Sequence, residues 1–154
     1  AAMGGGAGIV AACDMAVAVR GTKFAFSEVK LGLIPATIAP YVVEAVGPRW
    51  ARALFLTGNL FDADHAARIG LIDSVLADAE AIDGYVAWVS EGLGTSAPGA
   101  MGDAKRLVHH VAHHKIDHSL MEDTAHRIAK ARVSVEGQEG VRAFLDKRKP
   151  RWAE

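Results

Sequence analysis

Hydrophobic positions follow two regimes along this chain. Up to about residue 95, short apolar runs alternate with helical stretches, and beyond it the spacing is helical. Small residues from Gly6 to Ala12 predict a short helix, and Met15 to Val19 reads as a strand of alternating apolar residues. Arg20-Gly21-Thr22 is a turn, and Phe24 and Phe26 alternate as in a short buried strand. Pro35 ends this block. Thr37 is placed to cap the following helix, with Pro40 early in it, where a missing N–H costs little. Gly47-Pro48 breaks that helix, and Arg49 to Leu56 makes another. Asp62 caps a helix ending near Gly70, Leu71 to Leu76 is a strand, and Asp78 to Leu93 is helical. After a break at Gly92, Gly94 and Pro98, the stretch from Gly99 to Lys147 predicts three helices, parted near Lys115 to Asp117 and around Glu136-Gly137. The expectation is an α/β region over 1–95 and an all-helical region over 96–154.

Composition narrows this picture. A chain of 154 residues can bury one sizeable core, and with 51% hydrophobic residues disorder is not expected. Lys plus Arg number 17 and Asp plus Glu 18, a balance that argues against a nucleic-acid or membrane-surface binder. The single cysteine excludes an intrachain disulfide framework and fits a reducing, cytoplasmic compartment. No apolar stretch is long and clean enough for a membrane span.

The candidate chemistry lies near the start. Gly4, Gly5 and Gly6 open a helix, and without Cβ atoms they let backbone approach a ligand closely. Helix N-termini leave N–H groups without partners, which suits them to hold a developing negative charge. Glu28 stands alone in an apolar run, beside Phe26 and Val29. A lone carboxylate in such surroundings is a candidate general acid or base. An anion hole and a carboxylate together point to carbonyl chemistry through an enolate. The competing readings are tight backbone packing for the glycines and a surface partner of Lys30 for Glu28.

Ordered pieces of the whole chain resemble the enoyl-CoA hydratase/isomerase (crotonase) superfamily. They are Ala2-Met3-Gly4-Gly5-Gly6, Ala12-Cys13-Asp14, the run from Phe24 to Pro35, Leu56-Thr57-Gly58, Phe61-Asp62-Ala63 with Ala66, Gly70-Leu71-Ile72, and Glu139 to Arg148. The segment from Ser27 to Tyr41 looks most like bacterial hydratases acting on methylglutaconyl-CoA and related branched or carboxylated thioesters. The resemblance implies the end of a spiral ββα core followed by a helical trimerisation region. It implies a C-terminal portion of the fold, with the N-terminal strands, the second oxyanion donor and much of the CoA pocket preceding Ala1.

Residue by residue, the resemblance makes the Gly5 N–H an oxyanion donor and Glu28 the second of two catalytic glutamates. It places Gly8 and Pro35 at the substrate, and Phe144 and Lys147 beside the CoA adenine and phosphates, often those of a neighbouring subunit. The departure is Gly8, where two-glutamate hydratases carry the first carboxylate. One carboxylate would then act through a single water, or the reaction would be a double-bond isomerisation; glycine there would also leave space for a bulkier acyl chain. A catalytically silent, oligomerising fragment is the rival of another class. CoA is part of the substrate, and no separate cofactor is implied. The implied partners are an acyl-CoA and either further copies, as a trimer or hexamer, or a companion chain supplying the N-terminal half.

Other residues read as structural. His109/His113 and His110/His114 are i,i+4 pairs able to chelate a metal from one helix face, but flanking Val108 and Val111 read as the buried stripe, with the histidines toward water. Cys13 reads as packing at a helix-to-strand joint, and Met3, Met15, Trp50, Tyr85 and Trp88 as core or subunit interface.

Overall fold

The computed structural model describes residues 1–154 as two compact units, Ala1–Val86 and Ala87–Glu154. The division falls inside one continuous helix, where hydrophobic spacing gives no sign of it; the pattern breaks only at that helix's end.

In the first unit, β1 (Ala2–Met3) leads into α1 (Gly5–Ala12), then β2 (Val17–Val19) and β3 (Lys23–Ala25). A 3-10 turn over Glu28–Leu31 precedes α2 (Ala39–Thr57), β4 (Phe61–Asp62), α3 (Ala63–Arg68) and β5 (Ser74–Leu76). The five strands divide between two small sheets, β3 and β4 falling consecutively in the same one. One has the order β1-β3-β4, with β1 parallel and β4 antiparallel to β3; the other pairs β2 and β5 in parallel. The second sheet is extended by the Arg20 N–H to the Leu76 carbonyl at 2.8 Å and the Asp73 N–H to the Ala16 carbonyl at 2.7 Å.

The core between these layers is apolar. Phe24, Phe26 and Val42 are its largest fully buried side chains. Phe26 packs edge-on to Phe55 at 5.3 Å between centroids, and Phe24 stacks on Phe61 at 5.7 Å. Gly47, at φ 74° and ψ 161°, kinks α2 ahead of Pro48, where the sequence predicts a break. Thr37 does not cap this helix: Ile38 is the capping residue, without a side-chain bond. Asp62 does cap α3, accepting the His65 N–H at 2.9 Å.

The helix α4 (Glu80–Gly94) runs across the division. The second unit holds α5 (Pro98–Ala112), α6 (His118–Val133), α7 (Val135–Leu145) and a final 3-10 turn at Arg151–Ala153. The break between α6 and α7 falls at Ser134, earlier than Glu136-Gly137. Ser134 Oγ accepts the Gly137 N–H at 3.0 Å and so caps α7, which places both predicted breakers inside its first turn. Glu136 then serves another helix: its two oxygens accept the Gly99 and Ala100 N–H groups of α5 at 3.0 and 2.9 Å. No helix is long and apolar enough to cross a membrane.

Candidate active site

The site is built by one strand. Within β3, Ala25 pairs with Met3, and its carbonyl accepts the Gly4 N–H at 2.9 Å. The chain is thus fixed up to Gly4. Gly4 then adopts φ 48° and ψ −119°, a corner that suits a residue without Cβ, and α1 begins. The first helical bond runs from the Gly8 N–H to the Gly4 carbonyl at 3.0 Å. The N–H groups of Gly5, Gly6 and Ala7 precede it, in the turn where a helix supplies no partners.

The same strand delivers the carboxylate. Three residues past Ala25, Glu28 opens the 3-10 turn, and its carbonyl accepts the N–H of Gly32 and, at 3.0 Å, that of Leu33. Glu28 is half-buried. Its Oε1 lies 3.0 Å, and its Cδ 3.7 Å, from where a Cβ on Gly4 would stand. Its Oε2 is buried and has no hydrogen-bond partner. An unpaired buried carboxylate oxygen is costly in a merely structural role. The structure therefore brings Glu28 to the corner from which the Gly5 N–H departs. A carboxylate beside open helix N–H groups can move a proton at a carbon while those groups take up charge on a neighbouring oxygen.

Gly8 is buried, and the space expected beside it is not open. A Cβ there would lie 2.6 Å from the Ile38 Cβ, with Ile38 Cγ2 closer still. The room that glycine leaves is taken by Ile38, so α1 and the start of α2 approach closely; room for a bulky acyl chain at this point is corrected accordingly. Pro35 is half-buried in the same connection, and its carbonyl accepts the Ala39 N–H at 2.9 Å as α2 begins.

Phe144 and Lys147 lie in the second unit. Phe144 is 81% exposed at the end of α7. Lys147 has φ 54°, the only positive value outside glycine. Its N–H bonds to the Phe144 carbonyl at 3.2 Å, and the Arg148 N–H to the Ala143 carbonyl at 3.0 Å. That pair of bonds closes the helix as a Schellman motif, with lysine where glycine is usual. A clamp holds it in place: Arg148 bonds both oxygens of Glu139 at 2.7 and 3.1 Å, and the Arg151 N–H adds a third bond at 3.2 Å. The Arg148 hydrogen bond is the main reason the Glu139 carboxyl is held down at about 2. No pattern in the sequence pairs Glu139 with Arg148, because their contact depends on the tail folding back.

The histidine run is also rearranged. Val108 is 66% exposed, whereas His110 is half-buried beside Val111. His110 Nε2 lies 3.1 Å from Asp123 Oδ2 on α6, which also accepts from Arg127 Nε at 2.6 Å. The Arg127 hydrogen bond holds the Asp123 carboxyl below its usual range. The inward stripe is shifted because Asp123 gives an imidazole a partner there. Cys13 is exposed rather than packed, and its thiol donates to the Ile9 carbonyl at 3.3 Å.

Two small sheets, a glycine corner opening a helix and a carboxylate set against it make up the α/β unit that carries the candidate site. The sequence profile of the enoyl-CoA hydratase/isomerase family matches residues 1–154, and the chain belongs to that family. It is 33% identical over 154 residues to the enoyl-CoA hydratase AKT6-1 of Alternaria alternata, a match covering 98% of this chain and 51% of that protein. The crystal structure of an enoyl-CoA hydratase from Shewanella pealeana superimposes with a TM-score of 0.93 at 40% identity, over 98% of this chain and 56% of that one. An enoyl-CoA hydratase/isomerase from Marinobacter aquaeolei gives a TM-score of 0.92 at 39% identity, over 99% and 57%. The fold is the α/β crotonase fold, and the chain spans little more than half the length of these relatives.

Proposed function

We propose that the protein containing this chain hydrates an α,β-unsaturated acyl-CoA thioester through an enolate, with Glu28 as the acid/base and the Gly5 N–H as one donor to the thioester oxygen. The observation that carries this reading is the Glu28 carboxylate, one oxygen against the Gly4 position and the other buried without a partner, at the corner that begins α1. As the enolate forms, negative charge moves onto the thioester oxygen, where an N–H at a helix start stabilises it more than it does the ground state. The preferred substrate is branched or carboxylated, of the methylglutaconyl type, as the Ser27 to Tyr41 segment suggests. Pro35 and the Gly8–Ile38 contact flank the acyl group, while Phe144 and Lys147 serve the CoA adenine and phosphates of a neighbouring subunit. The chain works as the C-terminal portion of a trimer or hexamer, or beside a companion supplying the N-terminal strands.

Steady-state turnover of methylglutaconyl-CoA and crotonyl-CoA by the full gene product tests this. Formation of the 3-hydroxyacyl thioester, faster from methylglutaconyl-CoA, is the expected result; no hydration of either overturns it. Double-bond isomerisation is the second reading. It is favoured by the filled space at Gly8, which leaves Glu28 without a second carboxylate from that position. One base can carry one proton between two carbons, so 3-enoyl-CoA converted to 2-enoyl-CoA without water addition would select this reading.

A further inference from the structure

The corner residue itself carries an inference, which rests on the acid/base role proposed for Glu28. Gly4 joins three constraints in one residue. Its N–H is tied to β3 through the Ala25 carbonyl at 2.9 Å, and its carbonyl receives the first helical bond of α1 from Gly8 at 3.0 Å. Its φ of 48° and ψ of −119° set the direction in which the next N–H, that of Gly5, leaves the chain. The third constraint is steric. The atoms within 4 Å of a Cβ on Gly4 are Glu28 Oε1 at 3.0 Å and Glu28 Cδ at 3.7 Å, and both belong to the carboxylate group. The carboxylate closely borders the place that a side chain on Gly4 would take.

We propose that Gly4 is a positioning residue, whose absent side chain seats the Glu28 carboxylate and whose backbone turn aims the Gly5 N–H. A methyl group at Gly4 meets the free end of a side chain, not backbone. The carboxylate yields by a few tenths of an ångström or swings away, so the contact disturbs the fold little and the position of the reacting group greatly. Misplacing a catalytic group by about 1 Å can lower turnover by about a hundred-fold.

Gly21 supplies the control. It has φ +86° in the turn between β2 and β3, and a Cβ there meets nothing within 4 Å. Gly21→Ala therefore places alanine at positive φ with no carboxylate to displace.

The test compares Gly4→Ala, Gly21→Ala, Glu28→Asp and the Gly4→Ala/Glu28→Asp double variant in the full gene product. Both glycine variants are expected to melt somewhat below the parent. Gly4→Ala is expected to lower kcat by about a hundred-fold with KM within about three-fold, while Gly21→Ala stays within about three-fold of the parent in both. Aspartate is shorter by one methylene and makes room for the methyl group. The double variant is therefore expected to retain about ten-fold more kcat than multiplying the two single losses would leave. Strictly multiplicative losses, or equal kcat for Gly4→Ala and Gly21→Ala, overturn the proposal.

A readout free of turnover separates this from the function it rests on. In protein labelled with 13C at glutamate side-chain carboxyls, the Glu28 resonance is expected to move in Gly4→Ala and to stay in place in Gly21→Ala. If the parent turns over no enoyl-CoA thioester, the proposed function fails while the Glu28 resonance still decides the seating. An unmoved resonance in Gly4→Ala overturns the seating whatever the activity.

Discussion

Every buried hydrophobic residue except Ala143 lies in the Ala1–Val86 unit, whereas the Ala87–Glu154 unit is tied by polar contacts at helix ends. In the first, Phe24, Phe26, Val42 and Phe61 belong to one apolar cluster. In the second, Ser134 caps α7, Glu136 caps α5, Glu139 grips Arg148, and the Trp152 indole N–H reaches the Thr95 carbonyl at 3.2 Å. Apolar burial is insensitive to direction, while caps and clamps fix angles. The first unit can thus support an unpaired carboxylate oxygen, a feature that a weakly packed scaffold would relax. Both units leave large apolar side chains more than half exposed, among them Leu31, Ile34 and Leu56 in the first and Ile116, Val135 and Phe144 in the second.

The largest effect that sharpens this contrast is in the core. Phe26→Ala is expected to destabilise the first unit by about 3–5 kcal/mol, as cavity formation does at a fully buried aromatic. Urea unfolding followed by circular dichroism measures it. A loss comparable to that of a surface substitution would remove the contrast.

A smaller effect is expected at the cap of α7. Ser134→Ala removes the acceptor of the Gly137 N–H and is expected to cost about 1 kcal/mol. Amide hydrogen exchange should quicken through the first turn of α7 and leave β3 protected. Uniform quickening through both units would mean that they do not differ in the way described.

The smallest effect concerns pH. The Glu139 carboxyl titrates at about 2 in the folded unit, against an ordinary 4.5. A lowered native value means the unfolded chain takes up the proton first. The clamp therefore contributes fully above about 4.5, and its contribution is lost as pH falls from there toward about 2. Near-ultraviolet circular dichroism of the tryptophans should show an acid step in that window, and Glu139→Gln should remove it. A step unchanged by the substitution assigns the transition to other carboxylates.

What the sequence made legible were features of local period and local chemistry. The glycine run, Glu28 in its apolar setting, the Asp62 cap and the Gly47-Pro48 kink each depend on neighbours within a few residues. What escaped depends on contacts across the fold. Ile38 fills the space beside Gly8, Glu136 caps a helix more than thirty residues earlier, and Asp123 draws His110 inward. Gly4 shows the boundary between the two. Its glycine is plain in the chain, but only the return of Glu28 to its Cα shows why a side chain there would disturb the carboxylate.

The central claim is that Glu28 moves a proton at the substrate carbon. It is tested most directly by solvent deuterium entering the acyl group of a bound enoyl-CoA thioester, in the full gene product and in Glu28→Gln. Glutamine keeps the shape of the side chain and cannot act as the base, so folding should be nearly intact and deuterium incorporation should fall by about a hundred-fold or more. Incorporation within about three-fold of the parent would contradict the account and remove Glu28 from the chemistry.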